Sequence, residues 1–180
     1  IYLAVGSANH LPPWGGIDML LSTNPIAIAI PASSKPPKIL DMATTNTSYR
    51  KVKVAAANNE TMPIGWMQDK NGKPITNAKK ADNGFLIPIG GPEGYGLSLM
   101  IGILAGSMNG AAFGKNVIDF NNDFKTTTNT GHVLIALDVE AFMSFESFTN
   151  EIDSIWNVIK LSKKMKGYSN IRLPGENRHF

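Results

Sequence analysis

The chain has 180 residues, of which 43% are hydrophobic and 17% charged, and its formal net charge is +3. This length suits one domain with a real core, and a small charge carried by mostly scattered basic residues argues against a nucleic-acid-binding protein. The absence of cysteine excludes disulfides, thiolate nucleophiles and zinc–thiolate sites. Three widely spaced histidines argue against a histidine-rich metal site, so no metal is predicted.

Apolar and β-favouring segments predict the strands. Residues 1–6 form the first, residues 26–30 the second and residues 39–42 a short third. Isoleucine alternates with alanine in the second segment, which leaves both faces apolar and is typical of a strand covered on both sides. Asn71-Gly72 predicts a turn, and residues 132–139 predict another doubly covered strand.

Two helices are predicted in the middle of the chain, over residues 45–58 and 94–110. The second has a small residue at every fourth position, namely Gly94, Ser98, Gly102, Gly106 and Gly110. Glycine inside a helix costs about 1 kcal/mol relative to alanine, so this row predicts close backbone approach. Packing within the protein is favoured over a dimer interface, and a buried helix over a membrane span.

An amphipathic helix is predicted over residues 147–166, with Ser147 as its N-cap and Gly167 just beyond its end. Four lysines lie near that end: Lys160, Lys163, Lys164 and Lys166. We interpret them as a solvated cluster that complements the helix dipole. Strands mixed with helices predict a layered α/β architecture with a mixed sheet.

Three polar features are candidates for a site. Asp41 ends a strand and precedes small hydroxyl residues, which suits either a polar ligand at the sheet edge or a helix cap. The glycine-rich loop 90–96 leads into a helix and could bind phosphate, but Glu93 would repel phosphate, so a tight turn is favoured. His10 could act as an acid or base, although a surface histidine without a function is the favoured interpretation.

The chain lacks the G-x-G-x-x-G, Walker, G-x-S-x-G and H-E-x-x-H motifs. Other motifs follow one another in a fixed order: Trp14-Gly15-Gly16, Ser22-Thr23-Asn24-Pro25, Leu40-Asp41-Met42-Ala43-Thr44, Gly65-Trp66, Gly94-Tyr95-Gly96-Leu97, Gly110-Ala111-Ala112-Phe113-Gly114, Gly131-His132 and Pro174-Gly175-Glu176. This ordered set resembles the type 2 malate/L-lactate dehydrogenases across essentially the whole chain. That family includes ureidoglycolate, sulfolactate and diketogulonate oxidoreductases.

The resemblance implies a non-Rossmann dinucleotide-binding fold like that of L-sulfolactate dehydrogenase, with NAD or NADP as the cofactor. It implies a cytoplasmic homodimer with no nucleic-acid or membrane partner. The implied reaction is hydride exchange between the nicotinamide and a small 2-hydroxy or 2-keto acid, such as malate, lactate or ureidoglycolate. By position, the implied cofactor-binding residues are Ser7, Asp41, Met42, Ala43, Glu93, Pro174, Gly175 and Glu176.

The chain departs from the family pattern at several positions. Glu93 stands where members carry lysine, and Ala8 and Asn9 follow Ser7 where members often have Ser or Asp and then Pro. Arg50 stands where members often have glycine, and it would partly restore positive charge. The family's catalytic histidine lies upstream of everything in this chain, which offers only His10 as a replacement.

We therefore expect residues 1–180 to form a single cofactor-binding domain, a fragment of a longer enzyme that lacks its N-terminal part. The main hypothesis is an NAD(P)-dependent 2-hydroxyacid dehydrogenase whose catalytic residue is supplied from outside this chain. The alternative is a non-catalytic dinucleotide-binding or interaction protein derived from this family. An interaction module would use the glycine face of residues 94–110.

Overall fold

A computed structural model of the protein describes residues 1–176. Within that range there are three α-helices: α1 (Tyr49–Ala57), α2 (Pro92–Ala105) and α3 (Phe145–Leu161). The strands are β1 (Tyr2–Ala4), β2 (Ile26–Ile30), β3 (Lys38–Met42), β4 (Met67–Asp69), β5 (Gly84–Leu86) and β6 (His132–Leu134). None of the helices in the described range is long and apolar enough to cross a membrane.

The chain divides into two compact units. Unit 1 comprises Ile1, Ala27–Asp41 and the described residues from Leu134 onward, and unit 2 comprises Tyr2–Ile26 and Met42–Val133. Unit 1 contains most of β2 and β3, which are neighbouring strands, and α3. Unit 2 contains the neighbours β1 and β6, the antiparallel pair β4 and β5, and the helices α1 and α2.

An apolar core of ten buried residues lies in unit 2. Its buried members are Leu11, Leu21, Val52, Ala55, Met62, Met67, Ile75, Ala78, Ala81 and Leu86. Val52 and Ala55 come from the inner face of α1, whose N-cap Ser48 accepts a hydrogen bond from the Lys51 amide at 3.3 Å. Fully burying one such Leu, Met or Val side chain contributes about 1.5–3 kcal/mol, so this core fixes α1 against the strand pair β4–β5.

The row of small residues on α2 faces the interior, as the sequence predicts. Gly94, Ser98, Gly102 and Gly106 are all buried. A Cβ at Gly94 would overlap the carbonyl oxygen of Ile89. The packing interpretation is therefore confirmed, and because unit 2 itself buries this face, it is not available to a partner.

Helix α2 is shorter than predicted. It ends at Ala105 because Gly106 leaves the helical region with φ −107° and ψ −83°. A short 3-10 turn (Ser107–Asn109) follows, and Gly110 takes a left-handed conformation with φ 68°. The predicted helix 94–110 is thus wrong in its last turn.

Helix α3 begins earlier and ends earlier than the predicted 147–166. Its N-cap is Ser144, whose hydroxyl accepts from the Ser147 amide at 3.2 Å, so the predicted cap lies inside the first turn. The helix ends at Leu161 because Ser162 is extended. Gly167, with φ 90°, belongs to a separate turn. Consequently only Lys160 lies in the last helical turn, and the other three lysines of the cluster lie beyond the helix.

The predicted doubly covered strand 132–139 is also wrong. Strand β6 has three residues, and Leu134 at its end is 74% exposed. The chain then turns, because the Asp138 carboxylate accepts from the Glu140 amide at 3.0 Å and starts a 3-10 turn (Val139–Ala141). A side-chain cap therefore overrides the apolar pattern of this segment.

The glycine row gives a matched pair of substitutions. We expect Gly94→Ala to destabilise the protein by about 1–3 kcal/mol or more, because its methyl group would meet backbone that cannot move aside. Gly96→Ala, in the same helix, meets nothing within 4 Å and should stabilise by up to about 1 kcal/mol. Urea unfolding of both variants measures the difference, and equal midpoints would contradict close packing at Gly94.

Candidate functional site

A polar cleft in unit 2 is the candidate site. It consists of two adjoining cavities that share His10, Tyr49, Lys53 and Asn121 as walls. We call it the His10 cleft. Its larger lobe, of about 400 Å³, extends to Ser7 and Arg50, and its smaller lobe, of about 300 Å³, extends to Asp82 and Asp119.

Backbone hydrogen bonds and helix geometry position the shared wall. The His10 amide donates to the Leu21 carbonyl at 2.8 Å, and the His10 carbonyl accepts from the Leu86 amide at 3.0 Å. Tyr49 is the first residue of α1 and Lys53 lies four residues later, so both project from one helix face. The imidazole of His10 stacks on the Tyr49 ring with centroids 4.1 Å apart and an interplanar angle of 16°.

Polar contacts hold the remaining side chains of the cleft. The Tyr49 hydroxyl donates to Asp82 Oδ1 at 3.3 Å. Lys53 Nζ donates to Asn121 Oδ1 at 2.5 Å and lies 5.6 Å from the Tyr49 ring centroid. Asp119 Oδ1 accepts a hydrogen bond from the backbone amide of Asn121 at 2.8 Å. This bond positions Asn121, the hydrogen-bond partner of Lys53.

Burial sets the charge states in this cleft. It lowers the pKa of His10 to about 4, with the nearby Asp119 carboxylate opposing and the Lys53 ammonium reinforcing the shift. Burial also raises the pKa of Tyr49, and the Asp82 carboxylate adds to that effect. At neutral pH the imidazole is therefore uncharged and the phenol protonated, so both act as hydrogen-bonding groups.

The described residues that line the larger lobe include two cations and no carboxylate. Arg50 and Lys53 line it, together with the hydroxyl-bearing Ser7, Thr23 and Ser48. Ser7 Oγ lies 3.3 Å from Thr130 Oγ1, and the Ser7 carbonyl accepts from the Phe120 amide at 3.0 Å. Two cations beside hydroxyl groups suit an anionic ligand.

Asp41 and residues 174–176, four of the predicted site residues, lie in unit 1, whereas Met42 and Ala43 belong to unit 2. Asp41 is exposed near the end of β3, which Met42 completes and Ala43 follows. The turn formed by Pro174, Gly175 and Glu176 packs against the same strand: a Cβ at Gly175 would lie 2.6 Å from the Ile39 carbonyl oxygen. Gly175 has φ 85°, so glycine suits this close approach both in shape and in conformation.

The carboxylate of Glu176 is committed to structural contacts. It pairs with Lys160 at 2.5 Å and accepts from the Leu173 amide at 3.0 Å. The hydrogen bond from Lys160 makes the largest contribution to lowering the pKa of Glu176, and the hydrogen bond from the Leu173 amide makes the next largest. Glu176 therefore holds the turn in place, and a ligand at this turn would meet its backbone.

Glu93 is exposed in the first turn of α2, where a carboxylate complements the helix dipole. The preceding Gly90 and Gly91 have φ values of 61° and 75°, and no side chain caps the helix. The Trp14 ring lies beside this loop, 3.4 Å from where a Cβ of Gly91 would stand. The loop is thus a tight turn that ends in a negative charge.

The structure brings together only some of the predicted residues. Ser7 and His10 share the wall of one cleft, and residues 174–176 meet the strand that carries Asp41. The cleft also contains Tyr49, Lys53, Asp82 and Asp119, none of which was predicted as a site residue. The four-residue spacing of Tyr49 and Lys53 was a usable signal for that pair. The two aspartates come from distant segments, so no local pattern marks them. In the described part of the chain, no cluster of three His, Asp or Glu side chains could hold a metal ion.

Comparison with known proteins defines the family. The malate/L-lactate dehydrogenase family model matches residues 2–179. A malate dehydrogenase of Pyrococcus horikoshii is 36% identical over 97% of this chain and 50% of its own length. An L-sulfolactate dehydrogenase of Methanocaldococcus jannaschii is 39% identical over 92% of this chain and 47% of its own. The chain therefore belongs to the malate/L-lactate dehydrogenase family, as the ordered motifs predict.

A solved structure supports the fold. The sulfolactate dehydrogenase of Methanocaldococcus jannaschii superposes with a TM-score of 0.82 at 35% identity, over 97% of this chain and 50% of that protein. The predicted α/β fold of the sulfolactate dehydrogenase type is thereby confirmed. The chain spans about half the length of the curated relatives it matches.

Titration of His10 should appear in the pH dependence of stability. The unfolded chain binds a proton near pH 6.5, whereas folded His10 does so only near 4. The unfolding free energy should therefore fall as the pH drops from 6.5 to 4, with this histidine contributing up to about 1.4 kcal/mol per pH unit, and nothing above that window. Urea unfolding at several pH values measures this slope.

The matched variants are His10→Gln, which should remove that part of the slope, and His132→Gln, which should keep it. The proton NMR titration of the His10 ring gives the folded pKa directly. A folded pKa above 6 would contradict the buried environment described for this ring.

Proposed function

We propose that this chain is the cofactor-contacting part of an NAD(P)-dependent oxidoreductase that exchanges a hydride with a small 2-hydroxy or 2-keto acid. The observation that carries the proposal is the larger lobe of the His10 cleft. In a chain of this dehydrogenase family, Ser7, Arg50 and Lys53 line a cavity to which residues 1–176 contribute no carboxylate.

The residues of the lobe fit an anionic cofactor or substrate. A dinucleotide carries phosphates and a 2-hydroxy acid carries a carboxylate, and Arg50 and Lys53 would attract either group. When bound, the dinucleotide supplies a hydride donor or acceptor at C4 of its nicotinamide ring. Ser7 and Thr23 would orient polar groups through their hydroxyls. We keep Asp41, Met42, Ala43 and the turn 174–176 as further proposed cofactor contacts.

The proton of the 2-hydroxyl group needs a separate acid or base. His10 is a poor one at neutral pH, because its imidazole is uncharged and burial lowers its pKa to about 4. Its role in this proposal is that of a neutral hydrogen-bonding group in the cleft wall. The acid or base is then supplied by the part of the family's length that this chain does not span, so the isolated chain should not turn over substrate.

The implied cytoplasmic homodimer is also part of the proposal. An exposed apolar row on α2 supports a partner surface, and its members Leu97, Met100, Ile103 and Leu104 are 38–51% exposed. Side chains of this kind at helical spacing on one face suit a protein interface. This row lies on the side of α2 opposite to the buried glycines.

A second candidate function is a non-catalytic dinucleotide-binding or interaction protein derived from the same family. Glu93 favours it, because this exposed carboxylate in the first turn of α2 stands where the resemblance implies a lysine. A negative charge there would weaken binding of a phosphate-bearing cofactor. The two candidates therefore differ in how tightly the protein binds NAD(P)H.

Titration with NADH and NADPH tests the proposal. Trp14 lies beside the glycine loop, so quenching of tryptophan emission should report saturable binding. Glu93→Lys should tighten binding by about 3–10-fold, because a repulsive charge becomes attractive at a position that the family resemblance gives as a cofactor contact. Glu60→Lys is the matched control: its carboxylate is also exposed in unit 2, and its replacement should change the affinity by less than 2-fold.

The absence of binding by a chain that unfolds cooperatively would contradict the main proposal. If Glu93→Lys changes the NAD(P)H affinity no more than Glu60→Lys does, Glu93 no longer favours the non-catalytic alternative. Turnover of malate, lactate or ureidoglycolate by the chain alone would contradict the division of labour between this chain and the rest of the family length.

A further inference from the structure

The loop after α3 forms a basic cleft in unit 1. The cleft has a volume of about 690 Å³, and the described residues that line it all lie between Lys163 and Arg172. Three of these are cations (Lys163, Lys164 and Arg172), and none is Asp or Glu. We call it the basic loop cleft.

Lys160 holds the two ends of this loop together. Its Nζ donates to the Ile171 carbonyl at 2.7 Å and pairs with Glu176 at 2.5 Å. The far end of the loop reverses in a turn in which the Tyr168 amide donates to the Met165 carbonyl at 3.1 Å, with Gly167 at φ 90°. The loop therefore has a defined base and tip, which hold the cations around one cleft.

Among residues 1–176, no carboxylate pairs with any of the three cations. The nearby carboxylate of Glu176 is committed to Lys160 and to the Leu173 amide. Within residues 1–176, no salt bridge involves Lys163, Lys164 or Arg172. Because α3 ends at Leu161, these cations do not belong to its last turn, so complementing the helix dipole does not account for them. Like charges that share one cleft repel each other, and a bound dianion would relieve that repulsion.

The other lining groups narrow the class of ligand. Tyr168 lines the cleft and is 65% exposed, so its ring offers a free aromatic face. Ser169 and Asn170 add hydrogen-bond donors and acceptors. Three cations suit a doubly charged phosphate group, and an exposed tyrosine ring suits a planar group that stacks on it. A mononucleotide has both of these groups. A nucleic-acid strand fits less well, because the basic residues are confined to one short loop.

We propose that the basic loop cleft binds a nucleotide through a phosphomonoester, with the phosphate held by Lys163, Lys164 and Arg172 and the base on Tyr168. This site lies in unit 1 and uses none of the residues of the His10 cleft. It therefore stands whether or not the protein is a dehydrogenase.

The test uses the full chain with adenosine 2′-monophosphate and adenosine 5′-monophosphate, and with adenosine and inorganic phosphate for comparison. Amide NMR shifts locate binding, and calorimetry measures affinity. We expect at least one monophosphate to bind saturably and to shift the amides of residues 163–172. Adenosine should bind at least 10-fold more weakly, and inorganic phosphate several-fold more weakly.

The double variant Lys163→Ala/Lys164→Ala should weaken monophosphate binding at least 10-fold, and Tyr168→Leu several-fold. The matched control is Lys70→Ala/Lys73→Ala, which removes two exposed lysines from unit 2 and should change affinity less than 2-fold. Unaltered urea unfolding of each variant shows that the fold is intact.

Three results would overturn the proposal: shifts confined to other residues, equal affinity in the Lys163/Lys164 variant, or equal affinity for adenosine. Binding of inorganic phosphate as tight as that of either monophosphate would overturn the assignment of a nucleotide. The NADH titration followed through Trp14 should be unchanged in the Lys163/Lys164 variant, so failure here is distinguishable from failure of the dehydrogenase proposal.

Discussion

A single buried amide holds the wall of the His10 cleft to the rest of unit 2. Asn24 is fully buried; its Oδ1 accepts from the Gly6 amide at 3.2 Å, and its Nδ2 donates to the Ser98 carbonyl at 2.8 Å. Ser98 Oγ in turn donates to the Ser22 carbonyl at 3.1 Å. A buried polar group left without a partner costs about 1–3 kcal/mol. This network therefore fixes the segment before Ser7 and the segment around Ser22 against α2, and both segments line the larger lobe.

The small residues of α2 make that network geometrically possible. A Cβ at Gly102 would lie 3.0 Å from Asn24 Nδ2 and would overlap the Phe113 ring. Ser98 in the same row supplies both a carbonyl and a hydroxyl to the network. Packing and polar satisfaction thus depend on the same face of one helix. A larger residue in that row would disturb the cleft wall even though it touches none of the lining side chains.

The sequence predicts those parts of the molecule that local pattern controls. The alternating isoleucines predict β2, the glycine row predicts the buried face of α2, and the order of motifs predicts the family. Helix ends were predicted less well where two caps compete: Ser144 and Ser147 are both good N-caps, and only the observed bond to the Ser147 amide distinguishes them.

The candidate site was predictable only in part, since its properties arise from tertiary structure. Ser7 and His10 could be named from the sequence. The stacking of His10 on Tyr49 and the proximity of Asp119 could not, because these residues come from three separate segments of the chain. Burial in that setting turns a histidine with a useful intrinsic pKa into a neutral group at physiological pH. Likewise, the lysines after α3 gain a shared cleft only because the helix stops before them.

The two contacts of Lys160 constrain residues 171–176, whereas the preceding loop, residues 163–170, can vary in length and sequence. Residues 171–176 are held by one ammonium group on α3 and by the close fit of Gly175 against β3. Insertions or deletions between residues 163 and 170 would change the size of a surface loop without moving that turn. In this protein's relatives we therefore expect the loop to differ in length and charge, while the turn after it keeps its contacts with α3 and β3.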